Sequence, residues 1–322
     1  MLPRWRVLVT DRAWPDLQLE QAILAPLGVE LFEPGGVSEE QLVAAAANAD
    51  AIVCNWAPVT SGVIEAATNC RVVCRSGIGL DNIDIAAASA RGIPVTNVPD
   101  YCVTEVADHT LALLLAAARR VAFFHVRTKQ GEYRLGAASP PDRLAGKTLG
   151  LVGLGRIGAA VAQRARAFGM TILGCTRSGS DAGVGCPVVP LAELLSQSDF
   201  VSLHLPATAA NRHLVGPQQF AQMRPTAWLI NTSRGSLVDE QALWQALQEN
   251  RLAGAALDVF DPEPPDLTRP LFRDERVIVT PHAAFVSPES LVELRTRVAR
   301  QLAAVLSGNR PENIVNLQAL RG

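Results

Sequence analysis

The sequence predicts an α/β protein made of two doubly wound parallel-sheet domains, and three observations carry the prediction. Residues 147–177, KTLGLVGLGRIGAAVAQRARAFGMTILGCTR, run apolar stretch, glycine-rich turn, helical pattern and second apolar stretch within about 30 residues, the βαβ unit that binds dinucleotides. Ahead of it, residues 1–99 alternate short apolar runs with helix-period segments, which implies another parallel sheet wrapped by helices. The chain has 322 residues, 48% hydrophobic and 19% charged, enough to fill two cores.

Residues 7–10 read as a strand, 17–24 as a helix ending near Pro26 and Gly28, and 29–32 as a strand. Ser38 with Gln41 three residues on has the form of a capping box, so a helix starts there. Strands at 51–54, 71–74 and 93–96 alternate with helices at 63–67 and 85–90. Residues 103–124 form one long helical pattern of Ala and Leu, apolar nearly all round, as expected of a helix buried between domains or subunits. Residues 131–146 are a loop by their Gly, Pro and polar content. Gly169 stops the helix of the glycine-rich unit. Further strands are expected at 200–205, 228–231, 255–257 and 277–280, and a last helix at 291–307 crosses back to the first domain. The division is 1–100 with 291–322 for one domain and 101–290 for the dinucleotide-binding domain.

Net charge is −2 with no basic block, which argues against nucleic acid or an anionic membrane as partner. The N-terminus lacks the apolar core and cleavage site of a signal peptide, and the longest apolar helical stretch, 110–118, is too short to span a bilayer. Six scattered cysteines without a C-x-x-C pair read as buried, reduced thiols, with Cys70 and Cys74 in a strand, so a cytoplasmic protein is expected. No metal-ligand set is expected.

In the glycine-rich turn, Gly153 permits the sharp bend, Gly155 lets a pyrophosphate approach the backbone, and Gly158 lets helix and strand pack closely. Arg156 and Ile157 open the helix whose N–H groups receive the anion. The second strand ends in Thr176, Arg177 and Ser178, with no carboxylate for a ribose 2′-hydroxyl. One cation beside two hydroxyls suits a 2′-phosphate, so NADP is the expected cofactor and NAD the alternative.

Ligands in open α/β sheets bind beyond the carboxyl ends of the strands. Four such ends carry polar residues: Asn231 to Gly235 with Arg234 among them, Asp258 followed by Glu263 in DPEPP, Thr280-Pro281-His282, and Arg75 to Asn82 in the first domain. A cation, a carboxylate and a histidine on strand ends form a coherent set around one nicotinamide site.

The segments RSGIGLDNIDIAAASARGIPVTNVPDY, GLGRIG, NTSRGSLVDEQAL, ALDVFDPEPP and TPHAA resemble the D-isomer-specific 2-hydroxyacid dehydrogenases, over a stretch from about residue 50 to the C-terminus. NVPDY, TPHAAF and NRPENIVNL look most like the C-terminal-binding-protein branch. The resemblance implies a homodimer packed through the 103–124 helix, each subunit with a flavodoxin-like substrate domain and a Rossmann domain. It implies catalytic roles for Arg234, Glu263 and His282, and substrate contacts for Arg75, Ile78, Gly79, Arg234, His282 and Phe285. It further implies cofactor contacts at His204, Leu205, Pro206, Thr208, Thr232, Ser233, Arg234, Asp258, His282 and Ala284. Most of the family has an acidic residue near Thr176, and its absence here resembles NADPH-using glyoxylate and hydroxypyruvate reductases.

These roles make chemical sense. Reducing a 2-keto acid develops negative charge on the C2 oxygen, to which a protonated histidine can donate. A carboxylate beside that histidine favours imidazolium, and a guanidinium can fork onto the carboxylate and keto oxygens. The expected activity is hydride transfer between a nicotinamide cofactor and a small 2-keto or D-2-hydroxy acid. The alternatives are an NAD-linked phosphoglycerate dehydrogenase-like enzyme and a nucleotide-sensing corepressor. Side-chain specificity is expected from residues 55–60, Tyr101 and Phe285.

Overall fold

The computed structural model describes residues 4–317; residues 1–3 and 318–322, assigned above to the first domain, lie outside the described residues. Two compact units emerge, one holding the described residues up to Tyr101 and from Ser287 on, the other Cys102–Val286.

The first unit begins with β1 (Trp5–Val9), α1 (Gln18–Leu24), β2 (Val29–Phe32), α2 (Glu39–Ala46), β3 (Ala51–Cys54), α3 (Ser61–Ala66), β4 (Val73–Arg75), α4 (Ile85–Ala90) and β5 (Val95–Thr96). The sheet is parallel with order β2-β1-β3-β4-β5, the flavodoxin-like arrangement. β3, AIVC, is buried at every position because helices cover both faces of a central parallel strand. Ser38 caps α2 through the full capping box with Gln41, and Thr60 and Asp84 cap α3 and α4. Cys70 falls outside the strand expected at 71–74: its N–H bonds to the Ala67 carbonyl in a turn, and pairing with β3 begins at Val73.

The second unit holds α5 (Val103–Ala118), α6 (Val121–Lys129), β6 (Thr148–Val152), α7 (Arg156–Ala167), β7 (Thr171–Cys175), α8 (Leu191–Gln197) and β8 (Phe200–Leu203). It continues with α9 (Pro217–Gln222), β9 (Trp228–Asn231), α10 (Glu240–Gln248), β10 (Gly254–Leu257), α11 (Pro270–Arg273) and β11 (Val277–Val279). Its parallel sheet has order β11-β10-β9-β8-β6-β7, reversing at β6. Alternate strand residues feed opposite cores: Leu229 packs with Phe220 and Leu243, while Trp228 and Ile230 pack with Leu114 and Val161. The chain then returns to the first unit in α12 (Pro288–Leu306), which packs Leu294, Val298 and Leu302 inward and meets α1 through Arg295, bonded to both carboxylate oxygens of Glu20.

The single helix expected over 103–124 is two helices. The Asp142 N–H donates to the Ala118 carbonyl, and Arg120 turns left-handed (φ 55) with its guanidinium 4.8 Å from the Trp228 ring. The apolarity of α5 is used within its own unit, where it packs on α7, β9 and β10. Exposed apolar side chains sit beyond it instead, at Val121, Val126, Tyr133 and Leu135. No single helix among the described residues is long and apolar enough to cross a membrane.

Candidate active site

The turns after β9, β10 and β11 carry the second unit's candidate residues. After β9, the buried Asn231 side chain accepts the Ser233 N–H (3.0 Å) and donates to the Arg234 carbonyl (2.8 Å), folding the chain back under Arg234. Gly235 must be glycine, because a Cβ there would stand 1.9 Å from the Phe260 carbonyl carbon. That close approach sets the Arg234 turn against the segment leading to Glu263.

Glu263 accepts the Phe260 N–H through Oε1 (2.9 Å) and meets His282 Nδ1 through Oε2 at 2.7 Å. Burial pushes the Glu263 carboxyl up, but the His282 hydrogen bond and charge, the Phe260 N–H and the Arg234 charge outweigh it. The carboxyl is held below its usual range and is ionised at neutral pH. A carboxylate can only accept, so His282 Nδ1 carries a proton. His282 is left-handed (φ 50), which costs about 1–2 kcal/mol. Its N–H bonds to the Asp258 carbonyl (2.8 Å) and Phe285 stacks edge-on at 5.9 Å; contributions of about 1 kcal/mol per hydrogen bond offset the strain.

Asp258, expected at the nicotinamide carboxamide, has a different use. It is 0% exposed, and its carboxylate accepts from Thr280 Oγ1 (2.6 Å), Ala283 N (2.9 Å) and Ala284 N (2.9 Å). It buttresses the His282 turn, and Ala284 is a buried part of that buttress.

The glycine-rich turn suits a dinucleotide. A Cβ on Gly153 (φ 100) would lie 2.3 Å from the His204 carbonyl oxygen, and one on Gly158 2.2 Å from the Gly153 carbonyl oxygen. Gly155 is different: nothing lies within 4 Å of its Cβ position, so an approaching phosphate meets bare backbone. Gly155 also caps α7 without any side-chain bond, leaving the N–H groups around Arg156, Ile157 and Gly158 to an anion. His204 brings backbone to this turn, not its ring. Nε2 bonds to Ser202 Oγ (2.9 Å), Nδ1 is buried without a partner, and burial lowers the ring pKa to about 4, so the imidazole is neutral. Downstream, Asn211 accepts the Thr208 N–H and donates to the Pro206 carbonyl, shaping the loop that starts at Leu205.

At the end of β7, Thr176 donates to the Ser180 carbonyl (2.9 Å), and Arg177 and Ser178 are exposed. The nearest following carboxylate, Asp181, accepts the Gly183 and Gly185 N–H groups within its own turn.

In the first unit, Ile78 and Gly79 are half-buried at the turn after β4. Arg75 is not presented to a ligand as expected. At 8% exposure it lies under that turn, donating to Asn82 Oδ1 (3.2 Å), Asn55 Oδ1 (3.1 Å) and the Ser76 carbonyl. Its neighbour Ser76 leads into a turn that Asn97 holds from the other side by donating to the Ile78 carbonyl (2.7 Å).

Sequence reasoning also misses two residues of α5. His109 Nε2 lies 3.0 Å from Thr280 Oγ1, and Thr110 Oγ1 lies 2.9 Å from Thr232 Oγ1. A polar pair inside the apolar stretch ADHTLALLL is the signal that marks them.

The profile of the family described as "D-isomer specific 2-hydroxyacid dehydrogenase, NAD binding domain" matches residues 111–284. The chain is 44% identical over 271 residues to a glyoxylate reductase of Korarchaeum cryptofilum, covering 82% of this chain and 81% of the relative. It is 40% identical over 318 residues to a D-3-phosphoglycerate dehydrogenase of Methanocaldococcus jannaschii, covering 97% of this chain but only 59% of that relative's length. Among solved structures it is similar to an NADPH-dependent glyoxylate/hydroxypyruvate reductase from Sinorhizobium meliloti in complex with NADP and malonate. There the TM-score is 0.86 at 32% identity, with 97% of each chain covered.

Proposed function

The chain belongs to the D-isomer-specific 2-hydroxyacid dehydrogenases, and from that premise we propose that it is an NADP(H)-linked reductase of small 2-keto acids such as glyoxylate and hydroxypyruvate. The observation that carries the reading is the 2.7 Å His282–Glu263 pair next to the Arg234 turn.

A nicotinamide held at the glycine-rich turn would supply the hydride for C2. The chain's own residues do the rest. His282, with Nδ1 fixed by Glu263, donates the Nε2 proton to the C2 oxygen as charge develops there. The ionised Glu263 stabilises the imidazolium before transfer and keeps the ring in the right tautomer. Arg234, always charged, binds the carboxylate and keto oxygens and stabilises the growing alkoxide. Phe285, edge-on to His282, is assigned to the substrate's side chain. The N–H groups at Gly155 to Gly158 would hold the pyrophosphate, and Arg177 and Ser178 the 2′-phosphate, joined by Thr176 once its hydroxyl turns from the Ser180 carbonyl.

We further assign a homodimer, supported by the exposed apolar side chains on α6 and the loop after it. A reducing, cytoplasmic setting fits buried thiols outside any disulfide at Cys54, Cys70 and Cys74. The test is a panel of small 2-keto acids run with NADPH and NADH. Oxidation of NADPH in step with formation of the D-2-hydroxy acid is expected; oxidation of neither cofactor by any keto acid would remove the reading.

A further inference from the structure

We propose that His109 and Thr110, neighbours on α5, are positioning residues for the two catalytic turns. His109 acts on the His282 turn through Thr280 and Asp258, and Thr110 acts on the Arg234 turn through Thr232. The inference rests on the roles given to His282 and Arg234 above.

The direction of each hydrogen bond follows from what each group can do. The Asp258 carboxylate, wholly buried, can only accept, so the single proton of Thr280 Oγ1 goes to Asp258 Oδ1 (2.6 Å). Thr280 Oγ1 then has only lone pairs for His109, so His109 Nε2 is the donor across 3.0 Å. The result is a directed chain from His109 to Thr280 to Asp258. Asp258 in turn takes the Ala283 and Ala284 N–H groups on its carboxylate and the His282 N–H on its carbonyl. The backbone N–H groups of three successive residues, His282, Ala283 and Ala284, thus reach Asp258, and His109 fixes the far side of that acceptor.

The second chain is built alike. The Val106 carbonyl can only accept, so Thr110 Oγ1 donates to it (2.7 Å) and must receive the proton of Thr232 Oγ1 (2.9 Å). Thr232 stands between Asn231 and Ser233, whose side chains bond to the Arg234 carbonyl and to the Leu203 carbonyl. One turn of one helix therefore sets the histidine and the arginine together. A displacement of about 1 Å in such a constellation costs on the order of a hundredfold in rate.

The test uses the full chain with saturating cofactor. His109→Ala should lower kcat roughly ten- to a hundredfold with the keto-acid KM changed less than about twofold. His109→Gln, which keeps a terminal N–H donor, should recover most of the loss. In a His282→Ala background, His109→Ala should have no further effect, because its action passes through His282. Thr110→Val should instead raise the keto-acid KM, with Thr110→Ser restoring it. Should His109→Ala fail to fold, Thr280→Val against Thr280→Ser reads the same link. A kcat equal to wild type, or the same fractional loss in the His282→Ala background, would overturn the proposal. The His282 imidazole nitrogens, followed by NMR among the chain's five histidines, report on it without turnover. They should shift in His109→Ala, and unmoved signals overturn it. A wild type that reduces no keto acid defeats the reductase reading instead, while those signals still decide the positioning.

Discussion

Glu263 and His282 form one ionisable unit. Replacing His282 with Ala removes the proposed proton donor and should lower keto-acid reduction by roughly 10²–10⁴, with cofactor affinity nearly unchanged in a fluorescence titration. Glu263 has its carboxyl held below the ordinary range and so stays anionic beside the ring at neutral pH. Glu263→Gln removes that anion, so the basic limit of the reduction rate should move to lower pH; an unmoved limit would break the pairing. His204 gives a second pH effect, on stability. Its folded pKa of about 4 lies below the free value of 6.5, so the unfolded chain takes up this proton first. The contribution is complete above about 6.5 and is lost as pH falls toward 4, at most about 3 kcal/mol. His204→Gln should flatten the stability curve in that window, as read by urea titration at several pH values. These inward roles were not legible from sequence. Arg75 turns inward because Asn82 from the loop after β4 and Asn55 from the end of β3 both meet its guanidinium.

At the scale of elements, the loop after β7 decides the cofactor. A 2′-phosphate there would meet Arg177 and two hydroxyls, while a 2′-hydroxyl would find no carboxylate of the usual kind. Preference for NADPH over NADH should be on the order of ten- to a few hundredfold in Kd. Arg177→Ala should remove most of it and Thr176→Asp reverse it; equal binding of both cofactors by the wild type would contradict the assignment. The strands were legible because buried parallel strands write continuous apolar runs. The break between α5 and α6 was not, because it depends on Arg120 stacking over Trp228 and on Asp142 taking the last carbonyl of α5.

At the scale of the molecule, Tyr133 and Leu135, 95% and 90% exposed, and the valines of α6 are apolar surface that a second copy would cover. Sedimentation at micromolar concentration should give a dimer, and Leu135→Glu should weaken it; a wild-type monomer would leave this surface unexplained. Both sheets and the strand-end placement of Arg234, Glu263 and His282 were readable in the chain, because motif and strand end coincide. The bonds that brace the His282 turn from Asp258 and from α5 were not, since they join residues far apart in sequence. The most direct measurement of the central claim is the stoichiometry of NADPH oxidation with glyoxylate or hydroxypyruvate, with the product resolved by chirality where it is chiral. One 2-hydroxy acid per NADPH, the D-isomer from hydroxypyruvate, with both rates lowered in step by His282→Ala, is the predicted result. NADPH oxidation by neither keto acid, or turnover that survives His282→Ala undiminished, would contradict it.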